Sequence, residues 1–406
     1  MERGAKENLD LEGKAGGRHY SSSFFLAYFF YYGAYCVFAS FIVLFLTERS
    51  YSATVCGIIS SLALLANLLM EAVGGYVTDT FLSVKRYLLL CIAVVSGLCV
   101  FNTWFQDIPV LMLPTMVLVA GIAYPFSQLM DAWVSVSRTQ DPELVYSQIR
   151  AGGSIGYAVM SSIAGLYFKQ RGWNNYFLIQ MGALLLMVPF LIVLPDTSLG
   201  NRKGGGGKEG NLSLPEAFRV LVKKKNYVFC LVLCTLYWFS HRPVGSYLSL
   251  IIASRGGDAG TYGNICGVGA AVEFISLLLM AGWLRNHSLP PLTALAAALL
   301  TNLLRPVCFQ FLPGIWSIYL GQILQSVSFS FFYSASVDCF TAAADKRIRS
   351  FSISFGLTAS TVVGTVAANL IGGGLCDWLG TEALSVFSLV IGILDLALYG
   401  IYRRTK

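Results

Sequence analysis

The stretch Ala-Tyr-Pro-Phe-Ser-Gln-Leu-Met-Asp-Ala-Trp, residues 123–133, sets Asp131 inside an apolar run covering 109–136. That run exceeds the ~20 residues a helix needs to cross the hydrocarbon core. The same situation recurs 207 positions later, where Asp338 interrupts the apolar run 314–343. Gly75 and Gly282 close long apolar runs at that same offset, and Gly172 and Gly380 do so at 208. Such spacing reads as two tandem copies of one fold. Duplicated halves with intramembrane charges are how secondary transporters build a midplane site opened alternately to either side.

Composition agrees. Hydrophobic residues make up 56% of the 406 positions and charged residues only 12%, with a mean hydropathy of +0.66. Soluble domains carry about twice that charged fraction. The net charge of +7 does not point to nucleic acid, because the basic residues sit at span ends and in short loops, where they report topology. The ten cysteines all lie in or beside apolar runs and are expected to be free thiols. Cys230 and Cys234 share a helix face, but no His or Cys set accompanies them, so no metal is expected.

Apolar runs at about 22–46, 54–78, 87–105, 109–136, 147–168 and 175–195 give six spans, and runs at about 227–252, 261–284, 289–310, 314–343, 350–376 and 383–402 give six more. Helices are the element that satisfies the backbone in each. The expected fold is therefore an all-α membrane protein of twelve transmembrane helices in two six-helix pseudo-repeated halves. The expected domains are a tail at 1–21, a first half at 22–196, a linker at 197–226, a second half at 227–402 and a tail at 403–406. Lys and Arg number 21 on the face shared with the N-terminus and 4 on the other. An even number of spans with this bias puts both termini in the cytoplasm of a plasma or inner membrane. No cleavable signal peptide is read at the polar N-terminus.

Gly204 to Gly207 make the linker permissive. Pro215-Glu216 then opens an amphipathic stretch in which Phe218, Val220 and Leu221 are apolar and Arg219, Lys223, Lys224 and Lys225 basic. It is expected to lie along the anionic inner leaflet.

Charges within a bilayer are costly and each is a functional-site candidate. Asp131 in span four and Arg150 at the start of span five, within Gln-Ile-Arg-Ala-Gly-Gly-Ser-Ile-Gly-Tyr, can neutralise each other or bind hydroxyls together. A purely structural ion pair is the other reading. Gly152, Gly153 and Gly156 allow close helix approach, which is common packing and needs no ligand. His241-Arg242-Pro243 in span seven places two polar side chains where Pro bends a helix, either toward the cavity or at an aqueous mouth. Glu71, one turn before Gly75, either faces the cavity or pairs with a basic gate residue. Most of the aromatics crowding span one (Tyr28, Phe29, Phe30, Tyr31, Tyr32 and Tyr35) are expected in lipid or core, with one or two lining a site.

The Asp-Ala and Gln-Ile-Arg-Ala-Gly-Gly-Ser-Ile-Gly-Tyr patterns resemble the lactose-permease-like branch of the major facilitator superfamily, with its oligosaccharide, nucleoside and phenylpropionate permeases. His241, Val272-Glu273, Gly282-Trp283, Leu-Leu-Arg305 and Gln322-Ile323-Leu324 extend the resemblance over the whole chain. It implies that Asp131 and Arg150 contact substrate and that Tyr157 stacks on a sugar ring. It also implies that Glu273 and Arg305 belong to the proton-coupling side. Span ten departs from the pattern: Gln325 and Ser328 stand where the lactose permease has a His and a Glu, and neither accepts a transported proton. Gln325 is kept as a substrate-binding candidate. Glu273, Asp338 and Glu71 become the candidate proton carriers, unless coupling is to something else or absent. Gly75-Tyr-Val-Thr-Asp79 with Lys85-Arg86 resembles the superfamily's signature gating loop.

An intramembrane enzyme would need a nucleophile with a base, or a metal cluster, within the spans. Three His, with His19 in the tail and His287 in a loop, make that a poor reading, and a receptor or scaffold does not need such paired charges. No phosphate-binding Gly-rich loop implies ATP. The expected protein is a monomeric, multi-pass secondary transporter in contact with lipid, with a small-molecule substrate and no cofactor beyond a coupling proton. Its expected cargo is a sugar or nucleoside. Aromatic or other organic carboxylates, or export of apolar compounds, stay open.

Overall fold

The computed structural model describes residues 20–196, 214–286, 290–343 and 348–404. The residues of the expected tail up to His19, the linker glycines, and His287 lie outside the described residues. Among those described, every element is helical. They run α1 (Tyr20–Glu48), α2 (Ala53–Thr80), α3 (Val84–Trp104), α4 (Pro109–Ala123), α5 (Phe126–Gln140), α6 (Tyr146–Arg171) and α7 (Tyr176–Val193). There follow α8 (Leu214–Lys223), α9 (Lys225–Ser246), α10 (Leu248–Ser254), α11 (Ala259–Asn286), α12 (Pro291–Phe311), α13 (Trp316–Ala343), α14 (Arg349–Leu379) and α15 (Glu382–Arg404).

Nine helical segments among the described residues are long and apolar enough to cross a membrane. The runs expected at 147–168, 227–252 and 314–343 are helical as well, but α6, α9 and α13 lack a window of comparable apolarity. Length does not separate them, since these helices have 26, 22 and 28 residues. What sets them apart is the number of Ser, Gly, Gln and Tyr residues interspersed with the apolar ones, alongside Arg150, His241 with Arg242, and Gln322 with Asp338. A helix with one face turned to polar neighbours reads as less apolar than one surrounded by lipid.

One helix break follows from proline chemistry. Pro125 separates α4 from α5, and the Tyr31 hydroxyl donates to the Tyr124 carbonyl at 2.8 Å, supplying a donor where the backbone ladder is interrupted. At Pro243 the helix does not end. Pro243 sits inside α9, and the break comes later, at Tyr247, before α10.

The chain divides into two compact units, Met1–Ile42 with Leu62–Gly206, and Val43–Ser61 with Gly207–Lys406. One division falls inside the expected linker, between 206 and 207, while the end of α1 and the start of α2 group with the second unit. The first unit has an aromatic interior. Phe24 meets Trp133 edge-on at 5.4 Å, and Phe38 stacks near Tyr176, whose hydroxyl donates to the Phe38 carbonyl at 2.7 Å. In the second unit Tyr227, Cys234, Tyr237, Leu295, Phe332 and Phe340 form the buried core. Leu221 of the amphipathic helix α8 is fully buried in that core, while Phe218 packs edge-on against Phe355. The ten cysteines are free thiols, nine of them buried.

Also within the second unit, Asp377 of α14 caps the start of α2. Its carboxylate accepts from Ala53 N at 2.8 Å, Thr54 N at 2.9 Å and Thr54 Oγ1 at 2.6 Å. These backbone N–H groups have no partner inside their own helix, and an anion there also meets the positive end of the helix dipole. Gly373 permits the approach, since a Cβ there would lie 2.7 Å from the Ala53 carbonyl oxygen. Asp377→Ala is expected to destabilise the protein by about 1–2 kcal/mol, the usual cost of losing such a cap, read as a lower melting temperature of the purified protein.

Candidate functional site

In the first unit the acid and the base of the sequence pattern meet through tyrosines. The Asp131 Oδ1 accepts from the Tyr28 hydroxyl at 2.6 Å and the Tyr146 hydroxyl at 3.0 Å. Arg150, one turn beyond Tyr146 on α6, donates to the Tyr32 hydroxyl at 2.6 Å, and its guanidinium lies 4.3 Å from the Tyr32 ring centroid. Tyr28 and Tyr32, one turn apart on α1, have near-parallel rings 6.3 Å apart. Asp131 and Arg150 therefore form no direct ion pair. Each is half-buried and keeps polar atoms available: among the described residues Asp131 Oδ2 takes no hydrogen bond, so the site has an acceptor and a cationic fork to offer, backed by ring faces.

The glycines of α6 explain how Arg150 gets there. A Cβ on Gly152 would collide with the Phe25 carbonyl oxygen and one on Gly156 with that of Phe29, so α6 lies backbone-to-backbone against α1. A Cβ on Gly153 would sit 2.6 Å from the Tyr32 ring and 2.7 Å from Arg150 Nη1, in the space those two groups share. Tyr157, two turns further along α6, is half-buried and its hydroxyl lies 2.6 Å from Ser40 Oγ. Ser40 ends the π-helical turn Cys36–Ser40 of α1, a distortion frequent at functional sites.

In the second unit His241 Nδ1 lies 3.0 Å from Asn302 Oδ1, Asn302 Nδ2 donates to Ser240 Oγ at 3.2 Å, and Ser240 Oγ donates to the Ser388 carbonyl at 2.8 Å. The Tyr237 ring stacks on Phe332 with centroids 3.7 Å apart, and its hydroxyl is 3.3 Å from Ser328 Oγ. Ser328 also donates to the Ala298 carbonyl at 3.0 Å, so it serves helix packing. The Arg242 guanidinium lies 4.7 Å from the Trp238 ring. Arg305 is buried, with its Nε unpartnered. Glu273 and Gln325 are half-buried.

The remaining candidates are scattered. Asp338 and Asp79 are exposed, and Glu71 is half-buried on α2. Lys85 donates to the carbonyls of Ile192 and Leu194 at 2.6 and 2.9 Å, closing the end of α7. Arg86 pairs with Asp196 at 3.1 Å in an exposed ion pair, worth about 0–1 kcal/mol. A Cβ on Gly75 would meet nothing within 4 Å.

Three partners escape the sequence pattern: Tyr146, Asn302 and Tyr237 are aromatic or amide residues in helices rich in both. Asp395 is different. It stands in Ile-Leu-Asp-Leu, residues 393–396, the same signal of an acid in an apolar run that marks Asp131.

The model of the MFS_1 like family matches residues 22–388. The chain belongs to that family. The sucrose permease of Escherichia coli is 23% identical to this family member over 268 residues, which cover 64% of the chain and 62% of the permease. This agrees with the resemblance to the lactose-permease-like branch. Among solved structures, a variant of the nucleoside transporter NupG superposes with a TM-score of 0.81 at 15% identity, covering 95% of this chain and 99% of that one. A bacterial homologue of the human lysosomal transporter Spinster superposes at 0.69 with 14% identity, covering 96% and 97%. The fold is the one these transporters share, and the protein is an integral membrane protein. The relatives are transporters, not enzymes.

Proposed function

We propose that this MFS_1 like protein is a secondary active transporter that takes up a small polar solute, a sugar, oligosaccharide or nucleoside, by alternating access coupled to protons. The observation that carries the reading is the Tyr28, Tyr32 and Tyr146 cage around Asp131 and Arg150. A hydroxylated ring satisfies such a site. Its O–H groups donate to the carboxylate and accept from the guanidinium, while ring faces stack on tyrosine. Asp131 is not engaged by Arg150 and would repel a carboxylate solute, which favours an uncharged cargo over an organic acid. The names of the two relatives, a sucrose permease and a nucleoside transporter, bracket the same chemistry.

In this reading the protein is monomeric, spans a plasma or inner membrane twelve times and keeps both termini cytoplasmic. Tyr157, His241, Arg242 and Gln325 are further substrate-binding residues. Glu273, Arg305, Asp338 and Glu71 serve coupling, and Gly75, Asp79, Lys85 and Arg86 serve gating. The deciding experiment is a thermal-shift screen of purified protein with sucrose, other oligosaccharides, nucleosides and aromatic acids, followed by uptake into proteoliposomes. A ligand bound only by the folded state raises the melting temperature in proportion to ln(1 + [L]/Kd). Stabilisation by one hydroxylated class, with uptake of the same class, is expected. Stabilisation by aromatic acids alone would overturn the assignment.

A further inference from the structure

Asp395 is used by none of the roles above. It lies on α15 and is 1% exposed, and its Oδ1 is buried without a hydrogen-bond partner. Leu396 and Leu398 beside it pack on the core that contains Cys234, Leu295 and Leu299. The helices packed against α15 are α9, α12 and α14. Their titratable side chains include Cys230, Cys234, Tyr237, His241, Arg242, Arg305 and Asp377. An ionised carboxylate in such a place costs many kcal/mol, whereas the neutral acid does not.

The position is not isolated from polar groups. Ser388, Gly392 and Asp395 recur at i, i+4 and i+7, on one face of α15. Ser388 accepts from Ser240 Oγ at its carbonyl, and its own hydroxyl is buried without a partner. A Cβ on Gly392 would lie 2.5 Å from a Leu303 methyl and 3.0 Å from Ser240 Oγ. Ser240 continues through Asn302 to His241. A seam of small polar groups thus runs from His241 through Asn302 and Ser240 to Ser388, on the face of α15 that also carries Asp395.

We propose that Asp395 is a proton-binding site of the second unit, neutral in the conformation described here and ionised when water enters the seam. In that step the carboxyl O–H bond breaks, the proton passes to water, and the carboxylate keeps the electron pair. The proposal rests on the proton-coupled reading above. It offers the acid that span ten lacks, where Gln325 and Ser328 stand.

The test is difference infrared spectroscopy of the purified full-length protein, titrated from acidic to strongly alkaline pH without any solute, for wild type, Asp395→Asn and Asp395→Glu. A protonated-carboxyl C=O band should be present at neutral pH in wild type, disappear on alkaline titration, be absent from Asp395→Asn, and reappear at a shifted frequency in Asp395→Glu. Sucrose or uridine, whichever stabilises the protein, should change the intensity of that band. A wild-type band identical in Asp395→Asn overturns the proposal. So does one that never titrates, since that would make Asp395 a fixed packing group. If Asp395→Asn does not fold, the wild-type titration and Asp395→Glu still decide. The solute-free titration reads the proton site even if the protein carries neither sugars nor nucleosides, so the two readings fail separately.

Discussion

Asp131→Asn and Arg150→Ala are each expected to lower uptake by about 100-fold or more while the purified protein still folds. Each charged hydrogen bond to a bound solute contributes roughly 1.5–3 kcal/mol, and two such bonds lost or weakened at one carboxylate give that factor. The asparagine is the informative change. Its amide oxygen can still accept from Tyr28 and Tyr146, so the local packing survives, and what disappears is the charge and the second acceptor oxygen. Arg150→Lys should not rescue, because an ammonium cannot reproduce the planar fork that meets the Tyr32 hydroxyl and ring together. Uptake measured beside the melting temperature separates the cases. Near-normal uptake by both variants, whatever their stability, would reduce the tyrosine cage to a packing device.

That cage was only partly legible in the sequence. The acid and the arginine stand out because charges are rare in apolar runs, and burial within helical spans makes each one conspicuous. Their tyrosines do not stand out. Tyr28 and Tyr32 are two of a crowd of aromatics in 24–35, and only their spacing of four on a helix distinguishes the pair that reaches Asp131 and Arg150. Tyr146 opens α6 at a helix start where the sequence carries no cavity signal. An ion pair between Asp131 and Arg150 was a reasonable expectation from charge alone. The hydroxyl relays replace it because α6 is drawn so close to α1 that the guanidinium meets the tyrosine rings of α1 first.

The all-helical fold, by contrast, is written in spans of about 20 apolar residues, a signal integrated over many positions that no single substitution obscures. What that signal misses is the grouping of residues on either side of the first loop. Residues 43–61 group with the second unit because Asp377 and Gly373 act on them from more than 300 positions away, a distance over which periodicity says nothing. The gating motif shows the opposite failure. Lys85 and Arg86 are where a signature loop would put them, yet their visible partners are the last turn of α7 and Asp196.

Gly156→Val is expected to be the most damaging single change to folding in the first unit. A Cβ at this position meets the Phe29 carbonyl oxygen, backbone that cannot rotate aside as a side chain could. Overpacking of this kind typically costs about 1–3 kcal/mol. Relief requires α6 to move off α1, carrying with it Tyr146, Arg150 and Tyr157, three of the groups gathered around the site. Uptake should therefore be lost together with a fall in melting temperature and in yield of monodisperse protein, unlike Asp131→Asn, where uptake goes and stability stays. Gly97→Ala is the matched control. Gly97 is also a helical glycine, but nothing lies within 4 Å of its missing Cβ, so the exchange should be neutral or stabilise by about 0.5–1 kcal/mol through helix propensity. Equal tolerance of the two substitutions would mean that α6 is not held against α1 by its glycines. Arg150 would then need some other support to reach Tyr32.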